Sequence, residues 1–191
     1  MTLMESRNSR NALRMKGRID TKMYDTEQTR ASVDDYDSLS KLEKLDLARS
    51  FTPVYEDTVH NVTTDALHEY FVKNLDPDNV DPEANVSVSH LALGDDGATG
   101  TNSADTGLNN QVYAEAVTDV ADNGKSLLAS TFIDSTEANG NTVDELGLFS
   151  GDPANTANPD VFLMNHATFS PVTKDNTKTV TFDVTLTFSD A

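Results

Sequence analysis

Four histidines, His60, His68, His90 and His166, are the residues best suited to metal or proton chemistry. His68-Glu69 opens like the zinc-binding helix H-E-x-x-H, but position 72 is Val and the second ligand is missing. His60 and His68 stand eight residues apart, about two helical turns, too far for a simple chelating pair. His90 and His166 fall in candidate strands and read as packing or surface residues. No G-x-S-x-G elbow presents a serine nucleophile. The absence of Cys removes thiolate ligands, a thiol nucleophile and any disulfide. Asp76, Asp78, Asp81 and Glu83 offer oxygens to a hard cation, but without the glycine and bidentate acid of an EF-hand. They read, with Asp95 and Asp96, as hydrated loops. The expectation is a protein that is not an enzyme and holds no cofactor or metal.

Two elements precede the region where strands dominate. In Ser38–Arg49, Ser40 and Glu43 form a capping-box pattern, and Leu39, Leu42 and Leu45 share a stripe, which predicts a short helix. Pro53 ends it. A second helix is expected from Asp57 to about Asn74, because Val59, Val62, Ala66, Leu67, Tyr70 and Phe71 recur at three- and four-residue steps. Its face packs on the rest of the chain or on copies of itself. Val59, Val62, Leu67, Tyr70 and Phe71 are the candidate interface. Residues 37–75 thus read as a helical anchoring region, and 76–85, with two prolines and a run of acids, as a linker.

Residues 86–191 read as a β-sandwich domain. Strands are expected near 86–93, 111–120, 126–134, 143–149, 161–169 and 178–188, with turn signals at Asp122-Asn-Gly124, Asn139-Gly140 and Gly151-Asp-Pro153. In the last strand Val180, Phe182, Val184, Leu186 and Phe188 alternate with Thr179, Thr181, Asp183, Thr185 and Thr187. That period predicts one face on a core and one in water. The expected fold is mainly β: an antiparallel sandwich preceded by an extended basic arm and two helices.

Charge separates the ends of the chain. The formal net charge is -18, from 32 acidic and 14 basic residues. Such an excess keeps a surface hydrated at high salt, where screening removes much of the self-repulsion, so the composition points to a halophile. Every Arg lies at or before Arg49, and Arg7, Arg10, Arg14, Lys16, Arg18 and Lys22 cluster near the start. Residues 1–36 therefore read as an extended basic arm for assembly, whose Arg forks suit carboxylates on a neighbouring protein. Nucleic acid is not an expected partner: the body is acidic, no DNA-binding motif accompanies the arm, and counterion release contributes little in multimolar salt. No run is apolar enough to insert in a bilayer, and Met1–Arg7 has no apolar signal core. The product is expected to stay in the cytoplasm of its host until an assembled particle leaves.

Seven short motifs occur in order: Leu91-Ala-Leu-Gly94, Ala98-Thr-Gly-Thr101, Asp105-Thr-Gly-Leu-Asn-Asn-Gln-Val-Tyr113, Glu137-Ala-Asn-Gly140, Glu145-Leu-Gly-Leu-Phe149, Ala167-Thr-Phe-Ser-Pro-Val-Thr-Lys174 and the closing Thr/apolar strand. Together they resemble a module of tailed-virus virion proteins, found in tail fibres, baseplates and related parts. The resemblance covers about residues 86–188. With the charge, it implies a virion protein of a haloarchaeal tailed virus, at the tail tip or baseplate or as a fibre or spike adaptor. The partners implied are other virion proteins, copies of the chain itself, with a trimer favoured, and the host cell surface. A capsid turret or decoration protein is the alternative within the virion. A cellular glycan-binding module is the alternative outside it, and would need exposed aromatics, for which Tyr113, Phe149 and Phe162 are the candidates. Asn61-Val-Thr63 and Asn85-Val-Ser87 match the glycosylation triplet.

Overall fold

A computed structural model describes residues 14–75, 87–155, 157–158 and 160–189. Nine strands follow in chain order: β1 Arg14–Asp25, β2 Tyr55–Thr63, β3 His90–Gly94, β4 Gln111–Ala116, β5 Asp119–Asp122, β6 Ser126–Ile133, β7 Thr142–Phe149, β8 Leu163–Thr173 and β9 Lys178–Ser189. The α-helices are α1 Thr26–Arg30, α2 Lys41–Arg49 and α3 Asp65–Leu75. All pairings are antiparallel, and the order across the sheet is β4-β3-β7-β8-β2-β1-β9-β6-β5.

β4 and β5 are the two edges of this sheet, yet only Val117 and Thr118 separate them along the chain. Two residues reach at most about 7 Å. The sheet must therefore curl until its edges meet. The Val117 N–H donates to Ser89 O beside β3, and the next N–H, of Thr118, donates to Ser130 O of β6, both at 2.8 Å. Curling encloses one face, where Ile19, Leu93, Leu146, Phe182 and Val184 are all at most 2% exposed.

Residues 14–25 are not part of an arm. β1 lies between β2 and β9, in register from Arg14↔Ser189 to Asp25↔Lys178. Ile19, Thr21 and Met23 point into the core, while Lys16, Arg18 and Lys22 alternate with them on the outer face. Composition hides this strand because its charged face masks its inward face. Arg18 bonds Asp20 at 2.6 Å and Lys22 bonds Glu56 at 3.1 Å, so these cations are spent within the sheet. The sequence boundaries at 36 and 86 fall inside one structural unit, because β1 and β2 share a sheet with the later strands. The linker 76–85 lies outside the described residues.

The expected helix from Asp57 is also corrected. Tyr55–Thr63 is strand β2, with exposure alternating residue by residue through His60. β-Branched Thr58, Val59, Val62 and Thr63 favour the pleat, and their spacing satisfies both periods over so short a run. The helix starts only after Thr64, whose hydroxyl accepts from the Leu67 N–H.

α2 covers part of the outer face. Ser40 and Glu43 close its capping box, and Leu45 and Ala48 pack on Tyr24 and Phe132. Thr179 and Thr181, in register with Tyr24 and Phe132, are consequently 0% exposed rather than in water. Three cations fasten the helix to the sheet. Lys41 bonds Glu115 at 2.9 Å and Glu137 at 2.8 Å, Lys44 bonds Asp134 at 2.8 Å, and Arg49 bonds Asp183 at 2.6 Å. Burial pushes the Asp134 carboxyl up, but hydrogen bonds from Lys44 and Ser135 outweigh it and hold the group below its ordinary range.

Two outcomes test this packing. A Cβ at Gly17 would lie 1.4 Å from Asn61 Oδ1, and the buried Asn61 amide has no hydrogen-bond partner. Gly17→Ala is expected to cost about 1–3 kcal/mol in urea unfolding. Asn61→Ala in the same chain should recover most of that loss; an additive double variant would show that the two sites do not collide. Lys44→Met is expected to cost about 2 kcal/mol at pH 7 by removing a hydrogen bond to a charged group. Because the Asp134 pKa is depressed in the folded state, the pair stabilises fully above the unfolded value of about 3.9 and loses that contribution as pH falls through the folded value. The Lys44→Met deficit should therefore shrink as pH drops below about 4; an equal deficit at both pH values would contradict this role.

Candidate functional site

The loop between β3 and β4 folds back over the outer face of β3, β7 and β8. Leu108 seats beside Ala92, Phe149, Leu163 and Val161 in a second apolar cluster. Beneath the loop stand Glu145 on β7 and His166 on β8, both 0% exposed. Strand register puts them on the outer face, since Gly94 pairs with Glu145 and Gly147 with His166.

His166 Nδ1 meets Asp105 Oδ2 of the loop at 2.7 Å, and Nε2 meets Glu145 Oε2 at 2.9 Å. An ionised carboxylate only accepts, whereas a neutral imidazole donates from one nitrogen alone. Satisfying both contacts therefore takes two protons, held as an imidazolium or as a neutral ring beside one protonated acid. Glu145 also accepts from the backbone N–H groups of Asn109 at 3.1 Å and Asn110 at 2.8 Å. Gly94 makes room for it: a Cβ there would stand 2.2 Å from Glu145 Oε1. This constellation ties the loop to the sheet from both sides of one ring. With a carboxylate on each nitrogen, His166 has none left to act as a general base on a substrate.

A second cluster closes the end of the β7–β8 pair away from their connection. The backbones of Gly140, Asn141 and Lys174 exchange hydrogen bonds at 3.0 Å. Lys174, 3% exposed, turns its Nζ onto Asn139 Oδ1 at 3.0 Å and Asp175 O at 2.8 Å. Burial pushes this amine below the ordinary lysine range. Here too the polar groups build the fold.

The residues singled out by sequence fall elsewhere. Arg7 and Arg10 lie outside the described residues, and Arg14, Lys16, Arg18 and Lys22 belong to β1. Val59 and Val62 sit on β2, whereas Leu67, Tyr70 and Phe71 sit on α3, so the five form no single helical stripe. Leu67 is core; Tyr70 and Phe71 join Phe162 and Phe188 in an aromatic chain with centroids 5.4–6.0 Å apart. His68 Nε2 meets Thr63 Oγ1 at 3.0 Å and His90 Nδ1 meets Ser89 Oγ at 2.8 Å. Phe149 is buried and the Tyr113 hydroxyl donates to Glu115 at 2.7 Å, which leaves neither as an open sugar platform. Asn61 faces Gly17 inside the sheet, out of reach of a glycosylating enzyme. Sequence reads His166 as a packing or surface residue of a strand but does not find its partners Asp105 and Glu145, which stand 61 and 21 positions away with no periodicity to link them.

Fold and site together define an acidic, curled antiparallel β protein whose buried polar groups serve to hold its loops. No family model, curated protein or solved structure matches the chain. Among the described residues no group of three His, Cys, Asp or Glu side chains is placed to hold a metal ion, and no helix is long and apolar enough to cross a membrane.

Glu145→Ala should cost about 3–5 kcal/mol, since it strands a buried ring nitrogen and two backbone donors. Hydrogen exchange at Asn109 and Asn110 should accelerate more than at Ile19. A loss below about 1 kcal/mol, typical of a solvated pair, with unchanged exchange would mean that the loop is held by its apolar contacts alone.

Proposed function

We propose that the chain is a non-enzymatic structural protein of a tailed-virus virion, built for the salt of a halophilic archaeal host. Its place is the tail tip or baseplate, or a fibre or spike adaptor. The observation that carries this reading is the meeting of the motif residues in space. Gly94, Asp105, Asn109, Asn110 and Glu145, from three of the motifs, converge on one lock. Asn139, Gly140 and Lys174, from two others, converge on one turn. Chance matches scattered over a chain have no reason to touch. Residues inherited as a framework do.

The finer architecture follows the same reading. The curled sheet acts as a sandwich, with β5, β6, β9, β1 and most of β2 in one layer and β4, β3, β7 and β8 in the other. β2 bridges the layers through Val62↔His166 and Thr63↔Asn165. Anchoring falls to the surface around α3 and to residues before β1, in a homo-oligomer for which a trimer is the first expectation. Symmetric copies then multiply weak contacts to other virion proteins or to a host surface.

Antiserum raised against the purified chain tests this on tailed particles released by the producing culture. Gold label at the tail tip or fibres is the expected result in electron microscopy. Label on the head would replace the tail placement by a decoration role, and the absence of the chain from purified particles would sink the virion reading.

A further inference from the structure

Lys174 is a buried amine that no acid pairs with among the described residues. It is 3% exposed, and its Nζ meets two uncharged oxygens, Asn139 Oδ1 at 3.0 Å and Asp175 O at 2.8 Å. Lys41 and Lys44, by contrast, end on carboxylates. Burying an unpaired charge is costly, so such a site favours the neutral amine. Burial holds the Lys174 amine below its ordinary range, against the opposing charges of Asp175, Asp134 and Glu137. A neutral, desolvated amine is a nucleophile.

The carbonyl beside it is oriented as a target. Asn139 Nδ2 donates to Ser135 O at 2.7 Å, which turns the amide so that its oxygen faces Nζ. With a C=O bond of about 1.2 Å, Asn139 Cγ lies no more than about 4.2 Å from Nζ. Reacting atoms in a near-attack arrangement stand about 3–3.5 Å apart, so a side-chain shift on the order of 1 Å closes the difference. The backbone keeps the two residues together: the Gly140 N–H donates to Lys174 O and the Lys174 N–H to Asn141 O, both at 3.0 Å. The first of these bonds also occupies the Gly140 nitrogen, the group that would otherwise attack the Asn139 amide from within its own chain segment.

We propose that Lys174 and Asn139 join in an intramolecular isopeptide bond, formed by the folded chain itself. Nζ attacks Asn139 Cγ; the Nζ–Cγ bond forms and the Cγ–Nδ2 bond breaks. Nδ2 leaves as ammonia with the proton that Nζ gives up, relayed by solvent, to which Asn139 is exposed. No electrons are exchanged and no co-reactant is consumed. The product ties the turn before β7 to the end of β8 and closes a loop across 35 positions. In a chain without Cys it takes the part of a disulfide, restricting the unfolded chain. The inference does not rest on the virion reading, because both partners lie in one chain.

Peptide mapping of the full-length chain, incubated folded and then denatured and digested with trypsin, is the test. The expected result is a joined peptide holding Asn139 and Lys174 in most molecules, lighter by one ammonia than its two parts, with cleavage after Lys174 lost. Lys174→Arg keeps the charge and removes the nucleophile, and should restore the full mass. Separate peptides of full mass from the unsubstituted folded chain would overturn the proposal, whether or not the variant folds. Loss of ammonia without a joined peptide would assign it to ring closure at Asn139-Gly140 and overturn the proposal too. Equal joining in a chain kept in denaturant would show that the fold does not direct the bond.

Discussion

The two-residue step from β4 to β5 is the constraint on which the rest of the structure depends. Val117 bonds one edge of the sheet and Thr118 the other, so nine strands that would otherwise form an open, twisted sheet are brought round on themselves. Closure gives the chain a single enclosed face for Ile19, Leu93, Leu146, Phe182 and Val184. It also shortens the exposed edges, which are the sites where β proteins pair wrongly with their neighbours. What closure does not settle is the outer face. There the chain uses coverings, and each covering is fastened by charge.

The fastenings differ with depth. α2 is held by Lys41, Lys44 and Arg49 against four carboxylates on three separate segments, at partly exposed positions. Partly exposed pairs are weak singly and gain from being several around a helix that already buries Leu45 and Ala48. The β3–β4 loop is held instead by a fully buried acid and imidazole, where an unmet partner is far more costly than a met one is stabilising. Such an arrangement specifies one loop position more than it adds net stability. In a chain with a net charge of -18, few cations are available, and among the described residues most of them are committed to ties of this kind.

Local signals were legible in the sequence and non-local ones were not. The Ser40–Glu43 cap reads directly because both partners lie within one turn, and β9 reads because its period of two runs unbroken from Thr179 to Phe188. β1 was hidden because Lys16, Arg18 and Lys22 alternate with only a few apolar residues, and a central strand with one charged face looks like a polar tail. β2 was misread because Val59 and Val62 fit a helical step as well as a strand. The Asp105–His166–Glu145 lock lay beyond reach for a different reason. It depends on register between β7 and β8 and on a loop returning to the sheet, and neither is written in any local spacing.

The location of the motifs also bears on how function is read from them. Leu91, Leu93, Glu145, Leu146, Leu148, Ala167, Val172 and Lys174 are all at most 4% exposed. A resemblance carried by such residues is a resemblance of framework, because buried groups set how strands register and where loops are pinned. Framework alone does not choose a partner. The motifs also carry exposed side chains, among them Gln111, Ser170 and Thr173, which the framework does not need. Exposed apolar residues such as Phe71, Val72 and Val120 lie outside the motifs.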